Sequence, residues 1–236
     1  MRSGSTRQWA IVPAAGLGQR MGGAIPKQYL PLAGRTVIEW ALAPLLGMAS
    51  IGRIVVPLAA EDRRWSGLSI ARDSRVATTL GGANRADSVL AGLEAIHVAA
   101  AVDDWVLVHD AARPCLAIAD VHKLLAELAG DEVGGLLATP LPDTLKRAGN
   151  DQRVAATVPR EGLWRALTPQ LFRYGVLRDA LERCRRQDIV PTDEAAAVEA
   201  LGLKPRLVVG RADNIKVTLP EDLDLADRII VNRSQE

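Results

Sequence analysis

The sequence predicts an α/β chain built on a mainly parallel sheet with helices on both faces. Short apolar runs of strand character alternate with longer segments of helical period. Aromatic residues make up only 3% of the chain, so Ala, Leu and Val must fill the core. Strands are predicted at 9–15, 53–58, 75–80, 105–109, 135–139 and 206–209. Such strands, joined by helical segments, imply parallel crossovers. The clearest helix is 84–99, where Val89, Leu93 and Ile96 recur at helical spacing behind an Asn or Asp start. Segments 117–128, 175–186 and 220–231 have similar character. The stretch 139–158 breaks the rhythm: Pro140, Pro142, Gly149 and Asn150 flank two polar, β-leaning pieces at 144–147 and 153–158. This reads as a protruding β-hairpin arm. An arm unable to bury its own surface packs on something else, and a second copy of the chain, giving a homodimer, is the simplest partner. At 236 residues, one domain (1–236) with 139–158 as a dimerisation arm is the expected organisation.

Charge and cysteine content narrow the function. The 29 basic and 28 acidic residues nearly cancel and form no basic stripe, so a small substrate is expected rather than a nucleic acid. Cys115 and Cys184 have neither CxxC spacing nor a framework count, which points to free thiols in a reducing compartment, the cytoplasm. The apolar stretch 9–15 is too short for a signal segment, and no stretch approaches a membrane span.

Four constellations follow predicted strands. The first is Pro13-Ala14-Ala15-Gly16-Leu17-Gly18-Gln19-Arg20-Met21, then Pro26-Lys27-Gln28. Small residues let backbone N–H groups approach a phosphate, and Arg20 and Lys27 add fixed positive charge. No Gly-Lys-Ser/Thr follows, and Met21 stands where a dinucleotide fingerprint needs its third glycine. Phosphate cradling therefore fits better than a dehydrogenase. The second constellation is Gly81-Gly82 before Asn84-Arg85-Ala86-Asp87-Ser88, where paired glycines permit the close approach of a flat base; an ordinary loop and helix cap is the alternative. The third ends an apolar strand in His109-Asp110 with Arg113 three residues on. Asp110 there is placed to hold Mg²⁺ or a sugar hydroxyl, or simply to pair with Arg113. His109 reads as a half-buried strand residue rather than a base. The fourth is Gly210-Arg211-Ala212-Asp213-Asn214-Ile215-Lys216-Val217-Thr218. Lys216 sits among apolar neighbours, where an unpaired ammonium is costly, so a phosphate or carboxylate partner is expected; Asp213 is a second candidate metal carboxylate. His97 and His122 show no ligand spacing and read as surface residues.

Together with Asp143-Thr144, Leu167-Thr168-Pro169-Gln170 and Thr192-Asp193-Glu194, these runs closely resemble the 2-C-methyl-D-erythritol 4-phosphate cytidylyltransferase family over about residues 8–231. The resemblance implies a Rossmann-like nucleotidyltransferase fold, CTP and a polyol phosphate as substrates, a divalent cation such as Mg²⁺, and an arm that clasps the partner of a homodimer. By matching motif, Arg20 and Lys27 would grip the triphosphate and Lys216 would stabilise charge around the α-phosphate. Ala14, Ala15, Gly16, Gly18, Gly82 and Ser88 would belong to the nucleotide pocket. Asp110, Arg113, Thr144, Arg160, Thr168, Thr192 and Asp213 would face the acceptor, with Thr144 and Arg160 reaching in from the neighbouring subunit and Asp110 and Asp213 near Mg²⁺. One departure is Ala83, where many members of the family carry Asp after the paired glycines. Alternatives left open are a cytidylyltransferase for another polyol phosphate such as ribitol 5-phosphate, and a non-catalytic nucleotide-binding module.

Overall fold

The computed structural model describes residues 6–16 and 25–233. Seven strands form the central sheet: β1 (Gln8–Ile11), β4 (Ile51–Leu58), β5 (Val76–Leu80), β6 (Trp105–Val108), β7 (Gly134–Pro140), β10 (Trp164–Arg173) and β11 (Arg206–Val209). Their spatial order is β11-β7-β10-β6-β1-β4-β5. Six run parallel, while β10 lies antiparallel between β6 and β7. All six predicted strands are present. The seventh, β10, was not predicted, because Pro169 interrupts its run and removes a ladder donor. The sheet absorbs the proline at a register shift between Ala166 and Gln170.

Helices cover both faces, as expected. Ala10, Val12 and Leu107 point to one face and pack with α1 (Val37–Leu46) and α3 (Ile118–Leu128). Ile11, Val106 and Val108 point to the other, beneath α2 (Arg85–Ile96), α4 (Tyr174–Arg186) and α5 (Glu194–Glu199). The period-2 alternation within β1 and β6 thus feeds two apolar layers at once. Gly92 lets α2 lie close on the sheet, since a Cβ there would stand 2.7 Å from Ile11 Cγ2. A third apolar cluster joins α6 (Pro220–Arg233) to the small hairpin of β2 (Pro31–Leu32) and β3 (Arg35–Thr36) through Leu32, Cys115, Val217, Ala226 and Ile230. Burial there pushes the Cys115 thiol up to about 12.

The predicted arm is a two-stranded antiparallel hairpin, β8 (Leu145–Ala148) with β9 (Val154–Val158), separate from the main sheet. Its residues are mostly exposed, Val154 at 64% among them. Among the described residues no helix is long and apolar enough to cross a membrane.

Candidate active site

A cleft of about 630 Å³ opens beyond the carboxyl ends of the parallel strands. The loops after β1, β5, β6 and β11 supply its walls: Pro13–Gly16, Gly82–Asn84, Asp110–Ala112, and Lys216 with Thr218. Local hydrogen bonds set each wall. The Ala14 N–H donates to Pro57 O at 2.9 Å, and the buried Gln28 donates its Nε2 to the carbonyls of Ala14 (2.8 Å) and Gly16 (3.1 Å). Opposite, Asn84 caps α2 by accepting the Asp87 N–H at 2.9 Å. The Ser88 hydroxyl accepts from Gly82 N–H and donates to Asn84 O, so Ser88 holds the Gly82 loop while lining the cleft. At Gly81 a Cβ would meet Ala15 Cβ at 2.5 Å, so glycine there lets the two walls approach.

Charge gathers on the floor. The buried Asp110 carboxylate takes Arg85 Nε on Oδ1 at 2.9 Å, and Lys216 Nζ (2.9 Å) with Arg113 Nε (3.4 Å) on Oδ2. Burial alone would raise its pKa; Arg85, Lys216 and Arg113 overcome this and hold the carboxyl well below the usual range. The expectation that Lys216 needs an anionic partner is met by Asp110. Lys27, on a one-turn 3-10 segment (Lys27–Tyr29), donates Nζ to Val217 O at 2.9 Å and ties the first loop to the last.

Behind Asp110 lies a second network. Thr168 Oγ1 accepts the Asp110 N–H at 3.1 Å and donates to His109 Nδ1 at 2.9 Å, while His109 Nε2–H donates to Arg113 O at 3.1 Å. His109 is fully buried, not half-buried, and burial lowers its pKa to about 4. It is a neutral brace whose two nitrogens are both engaged. Arg113 donates NH1 to Asn214 O, and Asn214 donates Nδ2 to Thr168 O at 2.7 Å.

The predicted site residues separate into groups. Ala14, Ala15, Gly16, Lys27, Gly82, Ser88, Asp110 and Lys216 line one cleft. Arg113 and Thr168 stand directly behind it. Asp213 is held by Arg211 (2.9 Å) and by Arg233 of α6 (2.7 Å). Thr192 is exposed just before Asp193, the cap of α5. Thr144 and Arg160 lie exposed at the base of the arm, where Arg160 donates to Pro142 O. Arg20 and Gly18 lie outside the described residues. Arg85 and Glu194 had no predicted role, yet they form a bidentate pair, NH1 to Oε1 at 2.5 Å and NH2 to Oε2 at 3.0 Å. Both stand in runs singled out from the sequence, but a contact across 109 positions has no local signal.

As for a divalent cation, both oxygens of Asp213 are taken by guanidinium groups, which does not suit a metal ligand. Asp110 is likewise engaged on both oxygens, by Arg85 on Oδ1 and by Lys216 and Arg113 on Oδ2, though among the described residues Oδ1 accepts a single N–H. What separates the two expected carboxylates is place: Asp110 lines the cleft and Asp213 does not.

The model of the family described as 2-C-methyl-D-erythritol 4-phosphate cytidylyltransferase matches residues 9–232. The chain belongs to this family. The Pseudomonas putida (strain GB-1) enzyme of that name is 56% identical over 92% of both chains. That of Dechloromonas aromatica is 56% identical over 95% of this chain and 97% of its own. Among solved structures, the cytidylyltransferase of Francisella tularensis superposes with a TM-score of 0.83 at 33% identity, covering 95% of this chain and all of its own. A 4-diphosphocytidyl-2C-methyl-D-erythritol synthase superposes with a TM-score of 0.83 at 35% identity, over 96% of this chain and 100% of that one. Family membership accounts for the Rossmann-like nucleotidyltransferase fold expected from the motifs.

Proposed function

We propose that this chain transfers the cytidylyl group of CTP to 2-C-methyl-D-erythritol 4-phosphate, forming 4-diphosphocytidyl-2-C-methyl-D-erythritol and pyrophosphate for isoprenoid precursor synthesis. The observation that carries this reading is a family match across nearly the whole chain, on a cleft lined by Lys27, Arg85 and Lys216. Nothing in the relatives' names favours ribitol 5-phosphate as the acceptor.

An oxygen of the acceptor phosphate attacks the α-phosphorus of CTP, the bond from that phosphorus to the bridging oxygen breaks, and pyrophosphate carries away the electron pair. The acceptor phosphate is already anionic near neutral pH and needs no general base. This agrees with a site whose histidine, His109, is buried with both nitrogens engaged. The chain's task is positioning and charge neutralisation. Lys27 and Arg20 hold the triphosphate, and Lys216 turns its ammonium from Asp110 toward the charge that develops on the α-phosphoryl oxygens. Ala14, Ala15, Gly16, Gly18 and Gly82 form the nucleotide wall. Asp110, Arg113, Thr168 and Thr192 make up the acceptor side, and Asp213 serves it by fixing the loop to α6. Asp110 would be the residue to meet a divalent cation such as Mg²⁺ brought in with the triphosphate, and that ion would supply further charge neutralisation.

The working form is a homodimer. An isolated two-stranded hairpin is marginal in water, and β8–β9 exposes Val154 and most of its length, which supports a partner subunit covering it. Thr144 and Arg160 then reach the partner's acceptor site. Two buried free cysteines support a cytoplasmic setting.

The test is pyrophosphate release from each of the four nucleoside triphosphates with Mg²⁺, with and without methylerythritol 4-phosphate. Release is expected with CTP plus that acceptor alone. Turnover of CTP only with another polyol phosphate would overturn the acceptor, and silence throughout would overturn the activity.

A further inference from the structure

Arg85 and Glu194 open α2 and α5 respectively, on one face of the sheet, and only Arg85 lines the cleft. Glu194 is buried, with 1% of its surface exposed. An ionised carboxylate in that position is costly unless a matched donor meets it, and the two terminal nitrogens of Arg85 do so. Its own placement is determined from β10: Gln170 Oε1 accepts the Ala195 N–H at 2.8 Å, and Gln170 Nε2 donates to Asp193 at 2.9 Å. Two residues before Gln170, Thr168 accepts the Asp110 N–H. A closed circuit thus runs from Asp110 through Thr168, β10, Glu194 and Arg85 back to Asp110.

We propose that Glu194 is a positioning residue for the transfer reaction: it occupies both terminal nitrogens of Arg85, leaves only Nε for Asp110 Oδ1, and so keeps Arg85 off Oδ2, where Lys216 sits at 2.9 Å beside the more distant Arg113. The inference rests on the reading of Lys216 given above. A guanidinium fork with free terminal nitrogens takes a carboxylate two bonds at a time. Without Glu194, Arg85 stands beside Asp110 with its fork free and pairs with both oxygens. Lys216 then loses the partner that aims it, at 2.9 Å, across the floor of the cleft.

Charge balance alone makes the opposite forecast. Three cations, Arg85, Arg113 and Lys216, face two anions, Asp110 and Glu194, in one connected cluster. Neutralising Glu194 adds positive potential, which on simple Coulomb grounds tightens triphosphate binding and leaves turnover intact.

Steady-state kinetics of Glu194→Gln and Glu194→Asp separate the two. Glu194→Asp keeps the charge, and with it the fold, but draws the guanidinium back by about one bond length. A misplacement of that size costs up to roughly 10²-fold in rate. Both variants are expected to lose about 10- to 100-fold in kcat, with KM for CTP within about threefold of the parent. Replacing the pair together, Arg85→Met with Glu194→Leu, removes the competing fork and is expected to recover part of the loss seen in Glu194→Gln. Glu194→Asp turning over at the parental kcat, or a double variant no better than Glu194→Gln, overturns the proposal. A readout independent of activity is the crystal structure of Glu194→Asp, in which the separation of Lys216 Nζ and Asp110 Oδ2, 2.9 Å in the parent, is expected to lengthen. An unchanged separation refutes the positioning role even if the substrates prove to be others, and a lengthened one in a protein inactive on CTP leaves the positioning intact while the activity reading fails.

Discussion

His109 makes this protein's stability sensitive to acid in a window that opens above the range where carboxylates are protonated. An unperturbed histidine titrates near 6.5, whereas burial lowers His109 to about 4. Between those values the unfolded chain binds a proton that the folded chain refuses, so stability falls as pH drops through 6.5 and levels off below about 4. The interval from 6.5 to about 4, at 1.36 kcal/mol per unit, amounts to about 3 kcal/mol. The perturbation is His109→Gln, whose amide retains a donor for Arg113 O but does not titrate. It carries a fixed cost of about 1–3 kcal/mol from the Thr168 hydroxyl it leaves unmatched. Urea unfolding followed by tryptophan fluorescence from pH 7 to 4 gives both curves. The parent should lose about 3 kcal/mol more than the variant across the window. Parallel curves would show that His109 accepts its proton within the fold, refuting the view that its neutral tautomer braces Asp110 and Arg113.

Three further outcomes are expected. Lys27→Ala and Lys216→Ala should each lower kcat by roughly 10²–10³, the usual effect of removing one group that stabilises transition-state charge; near-parental turnover would contradict the assignment. Mixing inactive Arg160→Ala with inactive Lys216→Ala protein under subunit exchange should restore roughly a quarter of parental activity, because half the dimers are mixed and each has one intact composite site. Failure to complement would place Arg160 in its own subunit's site or outside the chemistry. Gly135→Ala should destabilise by about 1–3 kcal/mol and depress activity with it, read by thermal melting and by initial rates. A Cβ there meets the Arg206 backbone across the β7–β11 ladder, and β11 leads directly into the loop bearing Lys216. An unchanged melting temperature would show that this edge pairing contributes little.

What was legible in the sequence follows from what local patterns record. The strands of the parallel sheet were plain because burial on both faces leaves continuous aliphatic runs such as Trp105–Val108, with glycine-rich or charged loops after them. The loops of the cleft were legible for the same reason, since each follows such a run. β10 was hidden by Pro169 and by Arg165, Thr168 and Gln170, polar residues that the strand spends on the site rather than on pattern. α1 was obscured by Pro44 in its last turn and by apolar residues on nearly every side. In the site, the residue types and the local Asp110–Arg113 pair were visible, and so was the need of Lys216 for an anion, but the long-range pairings were not. Nothing near Asp110 announces that Arg85 and Lys216 share it, and nothing near Arg85 announces Glu194. Such contacts belong to the folded arrangement alone.

The antiparallel strand β10 has a consequence for how this protein can change over time. Pro140 ends β7 directly opposite Trp164, where β10 begins, so everything from Leu141 to Leu163 leaves the sheet and returns one strand spacing away. An excursion closed at its own root can be shortened, lengthened or exchanged while the ladder above it keeps its register. The excursion that carries the β8–β9 hairpin is therefore a unit whose length and sequence can change without moving the strands that frame the cleft.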